Sequence, residues 1–153
     1  MKYSKAQIRK SYVIRLEDKE IVQDSIEAFA RKMKIKAAVV QLLGGVDKGS
    51  KLIVGPRKGR GVKIEPVVHE LDEMHEAVGN GTIFCDEKGQ PGLHCHLACG
   101  RGQKSITGEI RAGVIVWHVM EVIITEFKRC SAIRKKDSST GFELLMPEKE
   151  FIP

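Results

Sequence analysis

Apolar residues recur along this chain in two rhythms. Between Asp18 and Ile35 they fall at Val22, Ile26, Phe29, Ala30 and Met33, the spacing that gathers side chains on one face of a helix. Asp18 stands where a side-chain N-cap is expected. Elsewhere the runs are short. "SYVIRL" (residues 11–16) predicts a strand, and "AAVVQLL" (37–43), closed by Gly44 and Gly45, predicts a central strand buried on both faces. "SKLIVG" (50–55) predicts another, followed by a basic turn, "PRKGRG". From there the chain is rich in strand signals: "VKIEPVVHEL", "EMHEAVGN", "GTIFCDE", "GLHCHLAC", "KSITGEI" and "GVIVWHVMEVIITEF", each bounded by Gly, Pro, Asn or Asp. Pro66 marks a break or a sheet edge, and "GFELLM" (141–146) predicts a last short strand. No internal repeat or low-complexity linker interrupts the pattern. The expected fold is α+β: a single compact domain, mostly antiparallel sheet with a packed helix.

Composition supports one domain. The chain has 153 residues, 42% hydrophobic and 30% charged, a globular balance. No apolar run approaches the roughly 20 residues of a membrane span, and "MKYSKAQIRK" lacks the apolar core of a secretory signal. No membrane association and a cytoplasmic location are expected. Cys85, Cys95, Cys99 and Cys130 read as reduced, mostly buried thiols. The formal charge is +6, which suits a polyanionic partner. It is concentrated at Lys2, Lys5, Arg9 and Lys10, in "GPRKGRGVK" and in "KRCSAIRKK". These stretches form either one face or separate solvated corners.

The candidate chemistry lies in "PGLHCHLACG" (91–100). On a strand, residues i and i+2 share a face, so His94 and His96 project together while Cys95 and Cys99 share the opposite face. The residues alone leave two readings open: a pair of metal ligands, or histidines bonded to backbone and carboxylates. A Cys–His nucleophilic pair using Cys85 or Cys99 is formally available, but nothing signals an activated thiol. His118 and Glu121 fall on opposite faces of a regular strand. Glu121, inside an apolar run, calls for a partner such as Arg111 or a lysine across a subunit boundary, or for a role orienting a ligand histidine. His69 and His75 suggest exposed or edge positions.

"LHCHLACG", "ITGEI" and "GVIVWHVMEVII", preceded by "EAVGNGTI" and "EIVQDSIEAFARKMKIKAAVVQLLGG", resemble the PPC domain (plants and prokaryotes conserved) over residues 11–146. Residues 1–10 would then be a basic N-terminal segment and 147–153 a C-terminal tail. The resemblance implies an outline shared with acetolactate decarboxylase and a homotrimer. It also implies a DNA-binding or regulatory role, since plant relatives attach this domain to an AT-hook. Many prokaryotic members carry Gly-Gly-His-Leu where this chain has Thr107-Gly108-Glu109-Ile110, so Glu109 takes the place of a third histidine. A carboxylate can bind zinc, and His94, His96 and Glu109 would leave a coordination position open. The alternative function is therefore a metal-dependent enzyme or small-molecule binder with zinc as cofactor, and Glu121 behind the ligands. Against the AT-hook pattern, Arg57, Lys58 and Arg60 would be the nucleic-acid contacts. However, one lysine is inserted and the stretch lies between two predicted strands, where a solvated hairpin turn is the simpler reading.

Overall fold

The computed structural model describes residues 2–59 and 64–147. In chain order it contains β1 (Gln7–Glu17), α1 (Val22–Met33), β2 (Ala37–Val46), β3 (Lys51–Pro56), β4 (Pro66–Glu70), β5 (His75–Cys85), β6 (Pro91–Arg101), β7 (Lys104–Glu109), β8 (Val116–Lys128), β9 (Ile133–Lys136) and β10 (Glu143–Met146). The first eight strands form one antiparallel sheet, ordered β1-β8-β2-β5-β6-β7-β3-β4, and β9 and β10 form a separate two-stranded ribbon. This is the expected α+β domain. Pro66 opens β4, an edge strand, where a missing N–H costs no ladder bond. Among the described residues no helix is long and apolar enough to cross a membrane.

α1 covers the inner face of the sheet. Val22, Ile26 and Ala30 are fully buried against it, and each of the two larger side chains contributes about 1.5–3 kcal/mol by leaving water. Phe29 lies at the margin, edge-on to Tyr12 with ring centroids 5.2 Å apart. Met33, expected on the buried stripe, is exposed. The helix ends there, because Lys34 adopts a left-handed φ of 57° and the N–H of Ile35 turns back to the Ala30 carbonyl. Asp18 is not the N-cap. That position is Ile21, without a side-chain bond, and the Asp18 carboxylate instead accepts the N–H of His118.

The outer face has no such cover. β2 therefore buries Ala38, Val40 and Leu42 inward while Gln41 and Leu43 face out exposed, which corrects the expectation of burial on both faces. "EMHEAVGN" and "GTIFCDE" are likewise one strand, β5, running through Asn80-Gly81 without a turn. Gly79 and Gly81 face the core there. A Cβ on Gly79 would stand 2.5 Å from the His96 carbonyl oxygen, and one on Gly81 would stand 2.7 Å from Cys95 Cβ. β5 and β6 approach so closely that only a hydrogen fits between them.

A second, small apolar cluster lies on the outer face. Ala37, Phe84 and Ala132 are buried in it, with Phe127 and Cys130 packed alongside. It fastens the segment leading into β9 across one end of that face, and the rest of the outer face stays open. Gly81→Ala is expected to lower unfolding free energy by about 1–3 kcal/mol through overpacking, read as a lower urea midpoint at unchanged slope.

Candidate functional site

β6 lies between β5 and β7, and its ladders set the site. His94 pairs across with Thr82, and His96 pairs with Asn80 on one side and Glu109 on the other. Period-two alternation sends both imidazoles outward and buries Cys95 and Cys99 in the core. The two Nε2 atoms are 3.2 Å apart, and Glu109 Oε1 is 4.0 Å from His94 Nε2. The expected trio is thus gathered on one patch of sheet. Among the described residues, no group of three or more His, Cys, Asp or Glu is arranged closely enough to hold a metal as it stands. The reason is visible at Glu109, whose Oε1 is engaged at 3.0 Å by the Arg111 guanidinium.

Two arginines escaped the sequence reading of this patch. Arg111 follows β7 directly, where the chain turns through Ile110–Ala112. Arg134 arrives from β9: it is 8% exposed, and its Nη2 donates to Thr82 Oγ1 at 3.1 Å. Because Thr82 is the rung partner of His94, that bond places a buried cation beside the imidazole. No sequence signal announced it, since it depends on the small outer-face cluster folding β9 back over the sheet.

The electrostatics follow from this placement. Burial pushes the His94 pKa below its ordinary value; Glu109 opposes the shift, while Arg134, His96 and Arg111 reinforce it. The thiols are inert: desolvation pushes Cys95 up to about 12 and Cys99 to about 11, and Cys85 is also raised. None is an activated nucleophile.

Glu121 does not belong to this patch. It is exposed and pairs across with Arg15 and Leu43, with β2 and β5 between its strand and β6. The buried glutamate of β8 is Glu126, 3% exposed and bonded to Arg9 at 2.8 Å. Alternation decides this: residues 120, 122, 124 and 126 face inward. His118, which has a positive φ of 61°, sits where the β2–β8 register shifts, so both it and Glu121 are exposed. Arg57 and Lys58 are exposed in the β3–β4 turn, with Arg57 3.9 Å from Glu65. Arg60 lies outside the described residues.

His94 is expected to titrate below the ordinary 6.5 in a histidine NMR titration. Arg134→Met should move it up by removing a repelling charge, and Glu109→Gln should move it further down by removing an attracting one.

Comparisons with known proteins agree with this architecture. The Plants and Prokaryotes Conserved (PCC) domain model matches residues 3–128, while no curated protein matches the chain. Among solved structures, a PPC protein from Pyrococcus horikoshii superposes with a TM-score of 0.81 at 22% identity, over 98% of this chain and all of that one (100%). A metal-containing protein from Archaeoglobus fulgidus gives 0.80 at 22%, over 95% and 99%. A Bacteroides thetaiotaomicron protein proposed to bind DNA gives 0.75 at 16%, over 94% and 99%. At these identities the likeness is one of fold.

Proposed function

As the chain belongs to the Plants and Prokaryotes Conserved domain family, we propose that it is a DNA-associated regulatory domain acting as a homotrimer. The observation that carries the reading is the convergence of basic residues that are remote in sequence. The β1–β8 ladder sets Gln7 opposite Lys128 and Lys10 opposite Glu126. Lys5, Arg9 and Lys10 therefore lie beside Lys128 and Arg129. β2 begins at the same end, with Ala38 opposite Glu126, which adds Lys34 and Lys36 from the close of α1. Of the acids near this end, Glu126 is engaged by Arg9 and Glu27 by Arg31, while Asp86, next to Cys85, accepts backbone N–H groups of its own turn. A surface of this kind binds phosphate backbones without reading sequence and releases counterions as it does so. The fold likeness to a Bacteroides protein proposed to bind DNA agrees with it.

The trimer is supported by the outer face. Val13, Leu43, Val78 and Ile123 are exposed there and sit on neighbouring rungs of β1, β8, β2 and β5. A second copy of the chain is the natural cover for such a strip. Fluorescence anisotropy with a mixed-sequence duplex should show binding at 50 mM salt that weakens by roughly a thousandfold at 200 mM, the behaviour of about six phosphate contacts. Lys34→Glu with Lys36→Glu should cost about tenfold or more at 50 mM, and neutralising Arg57 and Lys58 should cost less. Absence of binding by the native chain at 50 mM salt would sink the proposal.

A second reading rests on the 3.2 Å spacing of the two imidazole nitrogens. Two ligands on one tetrahedral zinc stand about 3.3 Å apart, given Zn–N distances of about 2.0–2.1 Å. The histidines fit that donor set, and Glu109 supplies a carboxylate of the right type once it leaves Arg111. His94, His96 and Glu109 would then hold zinc, which would supply a Lewis acid at an open position. Such a site would serve a metal-dependent enzyme or a small-molecule binder. Elemental analysis of untagged protein should find zinc near one per chain, lost in His96→Ala. Retention should fall as pH drops through the histidine range, because only neutral imidazole ligates, and the depressed His94 pKa carries retention to lower pH.

A further inference from the structure

A pocket opens where α1 ends. The left-handed backbone of Lys34 turns the chain back, and the Cys85 N–H then donates to the Lys36 carbonyl at 3.2 Å. The β5–β6 turn, closed by the Asp86 N–H on the Gln90 carbonyl, stands opposite the helix end. Between them lies a cavity of about 330 Å³, within the range of small-molecule sites. Its floor is apolar, made by Ala30, Ile35 and Cys85, all buried. Desolvation pushes the Cys85 thiol up, so the floor carries no charge at neutral pH. The charged residues of the lining are Arg31, Lys34 and Lys36, each exposed at the mouth.

The acids nearby are committed elsewhere. Glu27 takes up Arg31 at 3.7 Å. The Asp86 carboxylate accepts the N–H groups of Lys88 and Gln90, although its charge is felt at Cys85. Glu87 and Lys88 are exposed on the turn and contribute none of the lining. The close of α1 adds about half a negative charge, lessened because the N–H groups of Lys34 and Ile35 take up the carbonyls of Arg31 and Ala30. Among the described residues neither Lys34 nor Lys36 is in an ion pair. One lysine is enough to answer the helix end, and here two stand over an apolar floor. We infer that this pocket binds a small phosphate monoester, its apolar group on the floor and its oxygens between Lys34 and Lys36. Such a group carries about −1.5 to −2 charges at neutral pH, the match for two ammonium groups. Lysine, a mobile point charge, suits phosphate, whereas a carboxylate would leave one of the pair unanswered. Lys34 and Lys36 serve the DNA reading too, but this inference needs no nucleic acid.

The test uses chelator-treated full-length protein without DNA, at about 0.15 M ionic strength so that distant charges are screened. It is titrated with phenyl phosphate, and in parallel arms with benzoate and with inorganic phosphate, and read by the Gly89 and Gln90 amide signals in NMR. Saturable shifts with phenyl phosphate are expected, with binding about tenfold weaker for inorganic phosphate, which lacks the apolar body, and weaker again for benzoate. Lys34→Asn with Lys36→Gln should lose about tenfold or more. Both positions are exposed, and asparagine tolerates the left-handed backbone at 34, so the variant keeps its fold. Lys32→Gln with Lys104→Gln removes equal charge outside the pocket and should change affinity less than about twofold. The inference is overturned by any of four results: no saturable shift in the native chain, inorganic phosphate or benzoate binding as tightly as phenyl phosphate, unchanged affinity in the Lys34 and Lys36 variant, or an equal loss in the Lys32 and Lys104 variant. None of these outcomes decides whether the chain binds DNA or zinc.

Discussion

The register of β6 between its two neighbours is the constraint on which the rest of the molecule depends. Side chains alternate along a strand, so a slip of one residue would bury His94 and His96 and turn Cys95 and Leu97 to solvent. Three inward-facing glycines oppose such a slip. Gly79 and Gly81 on β5 leave room for the β6 backbone, and Gly108 on β7 does the same for β3, since a Cβ there would lie 2.7 Å from the Ile53 carbonyl oxygen. Moving the ladder by one would bring a side chain such as Asn80 into a gap that admits only hydrogen. The inner packing thus fixes what the outer face displays.

With the register fixed, the sheet divides the molecule's tasks between its two sides. The inner side, closed by α1, is an apolar core from Leu16 to Ile124. The outer side carries the exposed apolar strip, the histidine patch and the fastened ribbon. The basic residues gather at the end where β1 and β2 begin. The two proposed readings draw on different residues, Lys34 and Lys36 for the polyanion and His94, His96 and Glu109 for the metal or small ligand, so they do not compete for the same surface.

How much of this was legible in the sequence depended on the range of the interaction involved. The alternation at residues 93–97 is local, and it correctly placed the histidines together and the cysteines opposite. The helix stripe was legible apart from its end, where the backbone of Lys34 overrides the spacing of Met33. Asp18 was misread because its acceptor serves a backbone N–H 100 residues away. Glu121 was misread because an apolar run reveals burial of the strand but not which of two glutamates faces inward. β2 read as buried on both sides because an unbroken apolar run cannot show that its partner layer is missing. Glu109 came only through family resemblance. Arg134 was illegible altogether, because its place depends on a tertiary cluster of Ala37, Phe84 and Ala132, drawn from three separate strands and loops.

Among the described residues the ribbon of β9 and β10 pairs only with itself, and it follows residue 128, where the family match stops. The histidines stand on the ladder of the main sheet, whereas the cation beside them arrives from the separate ribbon. The arm shares no rung with the main ladder, so its sequence can change without altering the register that displays the imidazoles. Descendants of one ancestor could therefore keep the same imidazole pair and diverge in what they admit beside it, as locks of one make differ only in their wards.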